Sequence, residues 1–237
     1  MHLAIDTSTN TTGLALITNG HIVAEDIWPC ARNQSVELLP HIVSLFASAK
    51  SGIRDITGII VARGPGSFNS LRVGLSTAKG LAFGLNVPIA GISTLAAAAY
   101  QHATAGLPVC AVLPAGHAEV AWAVYQELER EWQNTSPETI SAPSTIFSYV
   151  ISPTIFAGEP DEYLVQETRA TLGELAVTHL VPPKSRVHAL AELGTQRLGA
   201  SAGDDVATLQ PIYLRRPPIT QPKSRAAGLK PPPPTVL

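Results

Sequence analysis

The sequence predicts an α/β protein of two lobes, each a mixed β-sheet carrying helices. Three observations predict it. Near the N-terminus, β-patterned runs flank an Asn-Gly pair, the mark of an antiparallel hairpin. After the hairpin, β-branched runs alternate with stretches of helical period, the order of parallel strands joined by crossover helices. The latter half repeats the theme more faintly, from "LPVCAVLPA" onward.

Leu3 to Ile5 opens a short strand that ends in "DTST". In "TGLALITNGHIVAEDIW" two strand runs lie on either side of Asn19-Gly20, a pair suited to a type I′ turn. Ser35 to Lys50 has helical period, Ile56 to Val61 is a β-branched strand, and Phe68 to Leu85 is helical again. "VPIAGIS" is a further strand and Thr94 to Gln101 an alanine-rich helix. "LPVCAVLPA" and "EVAWAVYQEL" read as paired strands, "TIFAGEP" as another, and Arg186 to Leu198 as a helix. Glu129 to Pro143 shows no regular pattern. The expected division is a first lobe over 1–103, a second over 104–212 and a proline-rich basic tail over 213–237, extended and without fixed structure.

The 237 residues are 45% hydrophobic and only 14% charged, enough to build a sizeable core and too apolar for a disordered chain. No apolar run approaches the roughly 18 residues a spanning helix needs, so no membrane contact is expected. "MHLAIDTS" has no basic region ahead of a long apolar stretch, and Cys30 and Cys110 form no disulfide framework; a cytoplasmic protein is expected. The net charge of −2 lacks the basic footprint of a chain that holds nucleic acid by itself. After Asp205 no acidic residue follows, while Arg215, Arg216, Lys223, Arg225 and Lys230 do. That end reads as a solvated tail or as a contact for RNA or a partner.

In "ARGPGSFNSLRVG" a strand ends at Gly64-Pro65-Gly66 and a helix starts at Ser67. Backbone N–H groups at a helix N-terminus attract anions, and glycine permits close approach. Asp6, Thr7 and Ser8, just past the first strand, stand in another usual place for phosphate and magnesium contacts. Weak nucleotide contact is therefore expected at Asp6, Thr7, Ser8, Gly64, Gly66 and Ser67. The competing reading is plain geometry: a tight strand-to-helix corner with Ser67 as N-cap. A Walker A loop is excluded, because Lys79 has neither the required glycine before it nor a hydroxyl after it.

The two helices around this corner carry more apolar surface than a monomer needs. Val36, Leu39, Val43 and Phe46 make one stripe on the first helix; Leu38, Ile42, Leu45 and Ala49 make another. On the second helix Phe68, Leu71, Leu75, Ala78, Ala82 and Leu85 form a stripe beside a line of small residues, Gly74, Thr77, Gly80 and Gly84. A helix apolar on two sides is either deeply buried or meets a partner. The expected partner interface comprises Val36, Leu39, Val43, Phe46, Leu71, Gly74, Thr77, Ala78, Gly80 and Gly84.

"AIDTST", the contiguous block "GPGSFNSLRVGLSTAKGLAFGLNVPIAGISTL" and "QPIYLRR" together resemble the bacterial TsaB family, also called YeaZ. The resemblance is clear over residues 1 to about 100, fainter from Val109 to Gln126, and returns at Pro211 to Arg215. It implies the actin-like or sugar-kinase-like ATPase (ASKHA) fold. It also implies a non-catalytic part in making threonylcarbamoyladenosine (t6A) in tRNA, as partner of a TsaD-like transferase. A TsaE-like ATPase would join the complex, tRNA would be reached through it, and the chain alone would form a homodimer. No cofactor of its own is implied beyond ATP or ADP with magnesium at a shared interface. The chain departs from the family pattern at Asn69 and Ser70, at Pro114-Ala115-Gly116 and at Gln34-Ser35.

The catalytic relative holds a metal through an H-x-x-x-H pair on one helix face. Thr94 and Ala98 stand at the corresponding positions and cannot bind one. The histidines at 2, 21, 41, 102, 117, 179 and 188 include no such pair, so neither a catalytic residue nor a metal ligand is assigned. The rival reading is a small phosphotransferase of the sugar-kinase-like fold, with Asp6 positioning magnesium and a base in the cleft. A peptidase lacks any supporting motif.

Overall fold

The computed structural model describes residues 1–30, 33–178, 182 and 184–215. Strands β1 (His2–Asp6), β2 (Thr11–Thr18), β3 (His21–Pro29), β4 (Gly58–Ala62) and β5 (Ile89–Ile92) form the first sheet, in the order β3-β2-β1-β4-β5. β1, β2 and β3 are antiparallel neighbours, while β1–β4 and β4–β5 pair in parallel. The hairpin turns at Asn19 and Gly20 with φ of 50° and 79°, the left-handed pair a type I′ turn requires. Between the strands run α1 (Gln34–Ser48), α2 (Phe68–Leu85) and α3 (Thr94–Tyr100).

The second sheet repeats the plan. β6 (Val109–Gly116), β7 (Glu119–Leu128) and β8 (Glu131–Asn134) form the antiparallel trio. β10 (Thr154–Gly158) and β11 (Ala176–Val177) add parallel strands, giving β11-β10-β6-β7-β8. A short β9 (Thr139–Ser141) also pairs β7. Helices α4 (Pro143–Phe147) and α5 (Glu162–Leu172) accompany this sheet, and α6 (Arg186–Gly199) follows it. The duplicated strand order is that of the expected actin-like or sugar-kinase-like class.

The stretch from Glu129 to Pro143 is not irregular: it holds β8 and β9. The β7–β8 turn is made by Glu129 and Arg130 at φ of 52° and 68°, without the glycine or asparagine that normally advertises such a turn. Both strands are short and polar, and pairing with β7 rather than local pattern sets them.

Helix α6, within the expected second segment 104–212, packs on the first sheet. Val187, Leu190 and Ala191 meet Ala4, Ala15, Ile17 and Ile60, and Gly194 lies so close to Ile60 that a Cβ there would collide with it. The opposite face of that sheet is covered by α1 and α2 through Leu38, Ile42, Leu45, Leu75, Ala78 and Ala82. A sheet covered on both faces explains the uninterrupted apolar runs of β1 and β4. α3 joins the lobes: Ala97 packs with the first sheet, and Leu95, Ala98 and Ala99 pack with the second.

The C-terminal stretch after α6 returns to the first lobe. Leu209 enters its core, and Lys79 Nζ donates to the carbonyls of Ala207 and Leu209. Residues 213–215, expected in the tail, are placed: the Tyr213 ring lies 5.0 Å from that of Phe68, and Arg215 pairs with Glu119. The rest of the expected tail, 216–237, lies outside the described residues.

Candidate functional site

The residues expected to touch nucleotide do converge. The Ser67 N–H donates to the Ser8 carbonyl at 2.8 Å, and Thr7 Oγ1 donates to the Ser70 carbonyl at 2.7 Å. Gly66 passes so near Ser8 that a Cβ would strike its carbonyl oxygen. Gly64, at φ +106°, is covered by the backbone of Ile212, whose N–H donates to the Arg63 carbonyl at 2.6 Å. Glycine is needed at Gly64 because that conformation is strained for any other residue.

Asp6 is buried and its carboxylate is engaged on both oxygens. Oδ1 accepts from the Ser8 N–H at 2.9 Å and from Ser8 Oγ at 2.5 Å; Oδ2 accepts from Arg186 Nε at 2.6 Å. Arg186, first residue of α6, also donates to Glu159 Oε1 at 2.7 Å and Thr9 Oγ1 at 2.8 Å. Burial would lower the guanidinium pKa, but the Asp6 carboxylate, with Glu159 beside it, more than reverses this and holds it above its usual value. The cluster opens onto a cleft of about 580 Å³ between the sheets, bordered by His102, Gly158 and Ser185.

The Asp6 carboxylate is not free to hold magnesium in this arrangement. Magnesium needs carboxylate oxygens free to coordinate it, and those of Asp6 already face a guanidinium and a hydroxyl. At the start of α2 the Ser67 N–H, one of the groups a phosphate would use, is spent on Ser8. Among the six expected contacts, the side chains of Asp6, Thr7, Ser8 and Ser67 are each hydrogen-bonded within the protein.

The expected helix interface divides into two parts. Val36, Leu39 and Val43 are 74%, 56% and 69% exposed, whereas Phe46 on the same stripe turns into the core. α1 is held in this orientation by its other side. Glu37 accepts from Trp28 Nε1 and Cys30 Sγ, and His41 stacks on Trp28 with ring centroids 3.7 Å apart. On α2, Leu71 and Ala78 are core residues, and Gly74 faces the Thr7 side chain so closely that a Cβ would strike its hydroxyl. Those three, with Phe46, are removed from the interface: the 3.6-residue period puts them on the sheet side of their helices. Thr77 is half-buried, and Gly80 and Gly84 face open space.

Phe83, 81% exposed on α2, joins this face and lies outside the expected set. Its position one turn beyond Gly80 was the available signal, masked by the core stripe that runs past it. Arg186 lies outside the expected site residues, because its partner Asp6 is 180 residues away and nothing local marks the pairing.

The molecule is thus of the two-lobed actin-like class, with a cleft corner closed on itself and an apolar helix face on the outside. Residues 27–202 match the family model described as "TsaD: tRNA N6-adenosine threonylcarbamoyltransferase". The Bacillus subtilis protein named tRNA threonylcarbamoyladenosine biosynthesis protein TsaB is 29% identical over 219 residues, 90% of this chain and 93% of that protein. Its Escherichia coli namesake is 33% identical over 61% of this chain and 63% of its own length. YeaZ from Pseudomonas aeruginosa superposes with a TM-score of 0.75 over 90% of this chain and 99% of that one, at 24% identity, a likeness of fold. The chain belongs to the TsaD family, within its TsaB (YeaZ) group.

Proposed function

We propose that this chain is the non-catalytic partner subunit in t6A biosynthesis, binding a TsaD-like transferase through the outer faces of α1 and α2. The observation that carries the reading is the exposed apolar set Val36, Leu39, Val43 and Phe83 beside Gly80 and Gly84. Large apolar side chains this exposed on neighbouring helices need a cover, and glycines beside them let another helix approach closely. The curated relatives named for threonylcarbamoyladenosine biosynthesis support the pathway. The same reading places the protein in the cytoplasm, where tRNA is modified. A TsaE-like ATPase completes the complex, tRNA is contacted through it, and without a partner the same face closes a two-fold homodimer.

The test is reconstitution with a TsaD-like transferase of the same source. The wild-type chain is expected to co-elute with the transferase and to raise t6A formation, whereas Val43→Asp should do neither while keeping its fold. Failure of the wild-type chain to associate, or steady ATP hydrolysis by the chain alone, would overturn the reading in favour of a phosphotransferase.

A further inference from the structure

We propose that Arg186 is a clamp between the lobes, holding the two sheets in one fixed arrangement at the mouth of the cleft. The inference stands apart from the partner reading, since it concerns the cleft and not the outer helix face.

Three structural units meet at this guanidinium. Asp6 ends β1 of the first sheet, Glu159 follows β10 of the second, and Arg186 begins α6, the helix packed on the first sheet. Nε goes to Asp6, Nη1 to Glu159, and Nη2 to Thr9 Oγ1 and, at 3.4 Å, to the Thr11 carbonyl. A guanidinium has five N–H donors in a rigid fork, so four are spent, on atoms belonging to both lobes. The Arg186 side chain is only 12% exposed and that of Asp6 only 3%, so neither charge can turn to water without the other. Glu159 is itself tied down, its N–H donating to the Val112 carbonyl of β6 at 2.9 Å.

A second tie is made by the C-terminal stretch. The Ile212 N–H reaches the Arg63 carbonyl in the first lobe, and three residues on Arg215 pairs with Glu119 at the start of β7. α3, packed into both cores, adds a further join between the lobes. Hinged two-lobe proteins open by breaking contacts between lobes when a ligand leaves. Here the cleft contact is made by the chain's own arginine, which never leaves.

The experiment is hydrogen exchange on the full chain, with a double-mutant cycle. Arg186→Met is expected to speed exchange at the amides of Ser8 and of Glu159 alike, one in each lobe. A merely local role would confine the change to α6 and β1, and an unchanged Glu159 would overturn the clamp. Arg186→Lys keeps the charge but not the fork; it should show the same pattern more weakly, and serves if the methionine variant does not fold. Asp6→Asn combined with Arg186→Met should leave a folded-to-unfolded ratio about tenfold or more above the product of the single effects, because each single change strands a buried charge. Additive effects would sink the idea. Millimolar magnesium-ATP should leave exchange at Ser8 unchanged in the wild type; slowing that disappears in Asp6→Asn would also overturn it.

Discussion

Gly74 and Gly80 share helix α2 but look into different surroundings: a Cβ on Gly74 would collide with the Thr7 hydroxyl, while nothing lies within 4 Å of one on Gly80. Substitution should separate them. Gly80→Leu is expected to match or slightly exceed wild-type stability, by up to about 1 kcal/mol, since leucine is the better helix former. The same variant should lose the transferase, because the close approach is filled. Gly74→Leu should cost about 1–3 kcal/mol by overpacking against Thr7. Chemical denaturation beside a binding assay reads both; a destabilised Gly80→Leu would place that residue in the core instead.

Phe83 gives a test of self-association. The free chain is expected to sediment as a dimer, and Phe83→Asp as a monomer, because a carboxylate cannot be buried unpaired at the dimer contact. Thermal stability of the dissociated chain should change by no more than about 0.5 kcal/mol, as for other surface substitutions. A wild-type monomer at high protein concentration would count against the homodimer.

His102 sets a pH dependence. Burial holds its pKa below the usual 6.5, so the unfolded chain binds that proton more readily than the folded one. The resulting penalty is absent above about pH 6.5 and grows as the pH falls below it, down to the lowered folded value. His2, lowered first by burial and then by the N-terminal charge, adds in the same direction. Unfolding free energy should therefore drop between pH 7 and 5. His102→Gln should flatten part of that slope; an unchanged slope would mean that other groups carry it.

Tyr213 binds the returning C-terminal stretch to α2. Its ring leans on Phe68 with 5.0 Å between centroids, and its hydroxyl accepts from Arg72 Nε at 3.1 Å. Tyr213→Ala is expected to cost about 1–2 kcal/mol, and Tyr213→Phe about 0.5–1 kcal/mol for the hydrogen bond alone. Urea denaturation midpoints distinguish the two. Equal losses would mean that the ring contributes nothing.

The sequence by itself determined the elements wherever local chemistry suffices. Asn19-Gly20 announced the hairpin, and the 3.6-residue period of Phe68 to Leu85 delimited α2 to the residue. Glycine spacing and "AIDTST" pointed to the corner and to the family. Where a turn was made by Glu129 and Arg130, or a strand as short as β9 was held only by its neighbour, no local preference recorded it. Period alone also could not say which of two apolar stripes faces the sheet. Phe46, Leu71, Gly74 and Ala78 went inward, and Val36, Leu39 and Val43 were left outside, by the way α1 and α2 pack on β1 and β4. The pairing of Asp6 with Arg186 comes from long-range packing. The two stand 180 residues apart, and the energy of a buried charge depends on what folding places beside it, which no spacing along the chain encodes.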